Sequence, residues 1–458
     1  MSDHRFDGPS DEHFRVVYRI RGDEGEARTI AGDICIEQTV EFPSELISDA
    51  LRERVVGRIE RFERVAHAAW EATIAYPVET AGGELTQLLN VVFGNYSMKR
   101  GVRVERLELS DEGANLTPRP SPGAPGGRTS PPAPSPGAPG EGGRTDPTPA
   151  PRPPRGEGDK SGANPASARA FVTPSSERGA SFASPSGRGC PRAGEGGPRF
   201  GRAGLRERLG VPRGPLLSTA IKPMGLPATE LADLTYRLAL GGIDLIKDDH
   251  GLANQAFATF SERLERCVEA VERANRETGR RSVYVPNVSA DGEETQRRAR
   301  QARSSGAGSI LVSPGLVGFG TMARLAADPA VDLPILSHPT FLGSFVASPD
   351  SGISHFALFG QITRLAGADG SIFPSYGGRF AWTQDECRAI AEGTAIPMGP
   401  FQPCFPVPGG GMRVERISEL VRFYGPDVIF LIGGGLHQAG PDLVATGRAL
   451  RAAVERAT

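Results

Sequence analysis

From Leu216 onward the chain alternates short apolar runs, each closing on a polar residue or glycine, with longer stretches whose apolar residues recur at helical spacing. The runs are LLSTAIKP, IDLIKDDH, SVYVPNVS, SILVSP, LPILSHP, SIFPS, IPMGPFQP and VIFLIGGG. The stretches between them include ATELADLTYRLAL, ERLERCVEAVERANRE, EETQRRARQAR and RVERISELVRFYG. Eight strands alternating with helices over about 250 residues predict a (β/α)8 TIM barrel, because a doubly wound sheet more often stops near six strands. The first part of the chain is patterned differently. FRVVYRIRG, AWEATIAYPV and VRVERLEL read as strands, and LTQLLNVVFGN as an apolar helix, which predicts a small ferredoxin-like α+β domain. The expected organisation is an α+β domain over 1–116, an insert over 117–198 and an α/β barrel over 199–458.

The insert is set apart by composition. It is rich in Pro, Gly, Ser and Arg and repeats SPGAPG at Ser121 and Ser135. So little apolar surface cannot offset the entropy of ordering the chain, so disorder is expected there. Over the whole chain the net charge of −2 gives no electrostatic reason for a nucleic-acid partner and leaves small solutes as the expected ligands. Five cysteines without CxxC spacing suit free thiols in a reducing compartment. The polar, acidic start lacks the halves of a signal peptide, and no apolar run approaches the ~20 residues of a membrane span. A cytoplasmic protein without a membrane partner is expected.

A barrel gives its strand ends a meaning, since active sites of such barrels form at the C-terminal ends of the strands. Lys222, Lys247, Asp249, His250, Asn287, Ser313, His338, Ser375, Gln402 and the glycines Gly433, Gly434 and Gly435 fall there. Lys247 and Asp249, two apart, share a strand face. Asp249 and His250 are candidate oxygen and nitrogen ligands. Lys247 as an ammonium repels a cation, but as a carbamate it becomes an oxygen donor suited to Mg²⁺. The alternative is a local salt bridge from Lys247 to Asp248 or Asp249. The clusters PGGGM (Gly409 to Gly411) and IGGGL (Gly433 to Gly435) follow the seventh and eighth strands, where backbone N–H groups of many barrels bind phosphate. Tight turns with positive φ are the other reading. His338 is a candidate for proton transfer or a satisfied core histidine. Arg379, in SYGGRF, either closes on an anionic substrate or is simply exposed. Cys404, in QPCFP, shows no partner that would make it a nucleophile.

In this order STAIKPMG, GGIDLIKDDHGL, LSHPTFLG, PGGGM and LIGGGL resemble the catalytic barrel of the RuBisCO large-subunit superfamily, and CIEQTVEFP and LLNVVFGN resemble its small N-terminal domain. The set looks most like the RuBisCO-like (form IV) branch, whose members do not fix carbon dioxide. The resemblance implies that Lys222 is the enolising base, that Lys247 is the carbamylated lysine binding Mg²⁺ and that Asp249 is a second ligand. His250 stands where carboxylating members have a glutamate ligand, and Arg379 where they have a mobile-loop lysine. Glu37 matches a glutamate given to a neighbouring subunit's barrel, which implies a homodimer or larger homo-oligomer. The family's asparagine position holds Val91, with Asn90 one place earlier. Gly409, Gly410, Gly434 and Gly435 keep one phosphate site. The other site has Pro339, Ile372 and Pro408 in place of arginine, histidine and serine, so a bisphosphate would face apolar surface at a cost of several kcal/mol. A monophosphorylated sugar or sugar acid is therefore the implied substrate, converted through a metal-stabilised enediolate by a decarboxylase, isomerase or tautomerase. IEQTVEFP and KDDHGL look closer to relatives that decarboxylate 3-oxo-sugar-acid phosphates. The alternatives are a methionine-salvage enolase or isomerase and a non-catalytic phosphate-binding protein.

Overall fold

The structure, a computed structural model, describes residues 13–108, 200–348, 351–378 and 380–457. The insert expected at 117–198 and Arg379 lie outside the described residues.

The N-terminal domain runs β1 (His13–Arg21), α1 (Glu24–Glu37), α2 (Asp49–Val55), β2 (Arg58–Ala66), β3 (Ala69–Pro77), α3 (Leu85–Phe93) and β4 (Val102–Glu108). Its antiparallel sheet has the order β2-β3-β1-β4 of a ferredoxin-like fold. Alternate residues of β1 (Phe14, Val16, Tyr18, Ile20) bury against Ala27, Ile30 and Ile34 of α1 and Leu88 and Val91 of α3. Asp23 starts α1 by accepting the Glu26 N–H at 2.8 Å. β2 has no counterpart among the sequence-predicted strands. It is an edge strand of mostly exposed polar residues, so it carries little of the apolar alternation that marks a strand.

The barrel strands are β5 (Leu216–Ile221), β6 (Leu245–Asp248), β7 (Val283–Val285), β8 (Ile310–Val312), β9 (Ile335–Ser337), β10 (Gly370–Pro374), β11 (Phe405–Gly409) and β12 (Ile429–Leu431). Parallel ladders join β12-β5-β6-β7 and β8-β9-β10-β11, and a bridge between Asn287 and Leu311 links the two sets. β11 lies beside β12, but no ladder forms between them among the described residues. Pro406 and Pro408 lack N–H groups on alternate positions of β11, while the odd-numbered positions pair with β10. Each strand sends apolar side chains inward (Leu216, Leu245, Val285, Leu311, Leu336, Ile372, Phe405, Ile429), and Leu205 and Leu209 of α4 (Gly201–Leu209) plug the lower end. The outer helices include α5 (Ala228–Leu240), α6 (Phe260–Thr278) and α7 (Glu294–Ser304).

One predicted strand is corrected. IPMGPFQP is a proline-broken turn bridged at Met398 and Phe401, and the seventh strand is β11. Gln402 and Cys404 consequently lie at the end opposite the barrel mouth, where the Arg364 and Arg202 guanidiniums donate to their carbonyls. Burial pushes the Cys404 thiol up to about 12, which makes it a poor nucleophile.

Candidate active site

Strand β6 sorts its acidic end by the alternation of the pleat. Asp248 points away from the barrel mouth, where its carboxylate accepts from Arg263 Nε at 3.1 Å, the Asn287 N–H at 2.9 Å and the Tyr284 hydroxyl. Arg263 is itself fully buried, so this network fixes the strand end from behind. Lys247 faces the mouth, and its Nζ donates to the backbone carbonyl of Asp248 at 2.9 Å. The predicted alternative, a salt bridge from Lys247 to Asp248 or Asp249, is not found among the described residues. Burial draws the Lys247 pKa down against the pull of Asp249, which favours the neutral amine that carbamylation requires.

Beyond the strand ends four ionisable groups meet. Lys222 Nζ, just after β5, lies 3.3 Å from Asp249 Oδ1 and 3.1 Å from Glu41 Oε2, and donates to the Glu41 carbonyl at 3.0 Å. His250 Nδ1 lies 3.4 Å from Glu41 Oε2 and 3.6 Å from Asp249 Oδ1. Burial opposes the charge on Asp249, but Lys222 and His250 outweigh it and hold this carboxyl below its usual range. Burial likewise opposes charge on His250, and Asp249 and Glu41 reverse the sign, so its pKa is raised. The imidazoles of His250 and His338 stack with centroids 4.5 Å apart. Burial and the charge of His250 push His338 well below the usual imidazole range. His338 Nδ1 lies 2.6 Å from the Thr340 hydroxyl and accepts the Thr340 N–H at 3.3 Å. The neutral ring is thus fixed by Nδ1.

The N-terminal domain closes this mouth in the chain described. Glu41 follows α1 in a turn where the N–H groups of Val40 and Glu41 both donate to the Ile36 carbonyl. Its φ of 44° is a left-handed conformation that costs a non-glycine residue about 1 kcal/mol. Helix α3 reaches the ligand loop through its side chains. Asn90 Nδ2 donates to the His250 carbonyl at 3.3 Å and Gln87 Nε2 to the Gly251 carbonyl at 2.9 Å. Asn287, from the barrel, donates to the same His250 carbonyl at 3.0 Å. Asp291 in turn accepts from Leu85 N at 2.9 Å, Thr86 N at 2.8 Å and the Thr86 hydroxyl at 2.5 Å, which caps α3.

A cavity of about 290 Å³ is lined by Glu37, Glu41, Lys222, Lys247, His338, Gly410 and Gly433 to Gly435. Gly410 and Gly411 turn with φ of 74° and 83°, a left-handed conformation that favours glycine. At Gly435 a Cβ would stand 2.3 Å from the Met412 carbonyl oxygen, and this close approach requires glycine. The structure thus gathers Lys222, Lys247, Asp249, His250, His338, Gly410, Gly434 and Gly435, with Glu37 reaching the cavity from the same chain where the resemblance implied a neighbouring subunit. Other predicted residues are placed differently. Asn90 holds the backbone of His250 and does not line the cavity, because Val91 occupies the domain core and turns its neighbour toward the barrel. Gly409 ends β11 against Leu431. Ser375 meets the Tyr424 hydroxyl at 3.3 Å, and the Ser313 N–H donates to Ser289. Pro339, Ile372 and Pro408 are buried and offer no side-chain donor to an anion. Sequence reasoning missed Glu41, whose approach to the barrel depends on tertiary packing that no local pattern encodes.

Among the described residues, Glu41, Asp249 and His250 form a group whose ligand atoms all lie within 4.8 Å of one another. Asp249 Oδ1 and His250 Nδ1 are buried without a hydrogen bond. Two carboxylates and an imidazole fit a divalent cation. No helix among the described residues is long and apolar enough to cross a membrane.

The family described as ribulose bisphosphate carboxylase large chain, catalytic domain, matches residues 201–458. The chain is 33% identical over 433 residues, 94% of its length and 95% of the relative's, to ribulose bisphosphate carboxylase-like protein 1 of Rhodopseudomonas palustris. It is 32% identical over 431 residues, 93% and 92% of the two lengths, to the 5-methylthioribulose-1-phosphate isomerase of Rhodospirillum rubrum. Among solved structures, the Rubisco-like protein from Rhodopseudomonas palustris gives a TM-score of 0.51 at 29% identity, covering 97% of this chain and 98% of that one.

Proposed function

We propose, for a chain that belongs to the RuBisCO large-chain family, that it is a RuBisCO-like enzyme moving a proton on a singly phosphorylated sugar or sugar acid through an enediolate, without carboxylating it. The observation that carries this reading is Lys222, a buried amine on the wall of a cavity that also presents neutral His338 and the glycine turns. The N–H groups at Gly410, Gly434 and Gly435 would take the phosphate, and the reacting carbons would then lie over Lys222 and His338. Lys222, once its proton has passed to solvent, is the base that takes the C–H proton and, as the ammonium so formed, returns a proton to the neighbouring carbon, while the neutral ring of His338, its Nδ1 engaged by Thr340, offers its Nε2–H to the enediolate oxygen. Asp249 and His250, with a carbamate on Lys247, would hold Mg²⁺ or another divalent ion, which when bound supplies charge stabilisation at the developing oxyanion.

Isomerisation or tautomerisation is the favoured outcome, supported by similarity to the isomerase over more than nine-tenths of both chains. The decarboxylation preferred from the sequence passes through the same intermediate, so one experiment separates the readings. Monophosphorylated ketoses and 3-oxo acids are incubated in D2O with the metal-loaded enzyme, while carbon dioxide release is followed in parallel. Deuterium uptake without release is expected. Release would make the enzyme a decarboxylase, and neither signal across the panel would make it a binding protein. Assembly as a homodimer or larger homo-oligomer is part of the proposal and is checked by light scattering.

A further inference from the structure

We propose that Glu41, from the N-terminal domain, is a protein ligand of the divalent metal, so that ion binding does not wait for the carbamate on Lys247. Three observations carry this. First, the spacing suits a shared ion. His250 Nδ1 lies 3.4 Å from Glu41 Oε2 and 3.6 Å from Asp249 Oδ1. Donors around one ion with bonds of about 2.0 to 2.2 Å stand roughly 3 to 3.5 Å apart. Second, Asp249 Oδ1 and His250 Nδ1 are buried at the meeting point without a hydrogen bond, held only by ionic neighbours at 3.3 to 3.6 Å, although buried polar atoms are rarely left so. Third, the charges balance. An ion on His250 Nδ1 takes the place of the proton there, so Asp249 and the then neutral imidazole bring one negative charge, and Glu41 brings the second that a divalent cation calls for. His250 offers nitrogen where an oxygen donor would suit Mg²⁺ better, so this set favours Mn²⁺ over Mg²⁺.

In the structure the carboxylates of Glu41 and Asp249 flank the Lys222 ammonium at 3.1 and 3.3 Å, an arrangement that already holds a cation. The competing account is that Glu41 serves Lys222 alone. The two differ in what happens when the carboxylate is removed. Because Glu41 adopts φ of 44°, Glu41→Gly relieves its backbone and serves beside Glu41→Gln as a variant that keeps the fold.

The test uses the full chain, stripped with chelator and kept free of carbon dioxide, and reads free Mn²⁺ by its electron paramagnetic resonance signal without substrate. This readout is independent of which reaction is catalysed. The wild type is expected to bind one Mn²⁺ per chain without bicarbonate and more tightly when bicarbonate is added. Glu41→Gln and Glu41→Gly should each raise the Kd by about 10- to 100-fold. Lys247→Met should lose only the bicarbonate-dependent gain. Unchanged affinity in both Glu41 variants, or wild-type binding that appears only with bicarbonate, would overturn the assignment.

Discussion

Asp291→Ala tests how the N-terminal domain sets the ligand loop. The carboxylate accepts three hydrogen bonds at the start of α3, from Leu85 N at 2.9 Å, Thr86 N at 2.8 Å and the Thr86 hydroxyl at 2.5 Å. Hydrogen bonds to a charged group contribute about 1.5 to 3 kcal/mol each when buried, but Leu85 is exposed and Asp291 itself only half-buried, although Thr86 is buried. A helix cap of this kind contributes about 1 kcal/mol, with up to about 1 kcal/mol more from the helix dipole. The loss should therefore be on the order of 1 to 2 kcal/mol. Because α3 carries Asn90 and Gln87 to the carbonyls of His250 and Gly251, that loss should reach the site. Hydrogen exchange read by mass spectrometry should show α3 amides losing about 5- to 30-fold in protection, with a smaller loss over 249–252. Asp291→Asn, which keeps one acceptor without the charge, should show an intermediate effect. Unchanged protection over both segments in Asp291→Ala would refute the idea that this cap positions the loop.

Three further outcomes are expected. Burial raises the Asp369 carboxyl to about 7 against three backbone N–H donors, so its folded pKa lies above the unfolded value near 3.9. Stability from this group is fully present below about pH 4 and is lost as pH rises through about 7, on the order of 4 kcal/mol in all. Asp369→Asn should flatten that fall when Tm is measured against pH. Arg263→Met strands the buried Asp248 carboxylate and should cost about 3 to 5 kcal/mol in urea unfolding, with weakened Mn²⁺ binding because the β6 end is no longer fixed. Gly435→Ala places a Cβ 2.3 Å from the Met412 carbonyl and should weaken binding of inorganic phosphate at least about tenfold by calorimetry, while leaving Mn²⁺ affinity unchanged.

The barrel was legible because seven of its eight strands lie in the apolar runs that mark them, and Lys222, Lys247, Asp249, His250 and His338 sit at those strand ends as the pattern placed them. Two elements resisted the pattern for physical reasons. β2 is an exposed edge with little apolar alternation, and the run at 396–403 is held as a turn by its prolines while the true strand follows it. The site was less legible than the fold. Asp248 looked equivalent to its neighbours, but the pleat turns it onto Arg263 and Tyr284. Glu41 is remote in sequence from every barrel residue that it meets, and only the packing of the N-terminal domain over the mouth brings it 3.1 Å from Lys222.

The central claim is that one buried constellation around Lys222 transfers the substrate proton. It is tested most directly by deuterium exchange from D2O into a singly phosphorylated ketose, comparing wild type with Lys222→Met at saturating metal. The account predicts exchange by the wild type and a loss of at least about 100-fold in Lys222→Met, with substrate affinity changed by no more than a few-fold. Exchange that persists in Lys222→Met at the wild-type rate would contradict it.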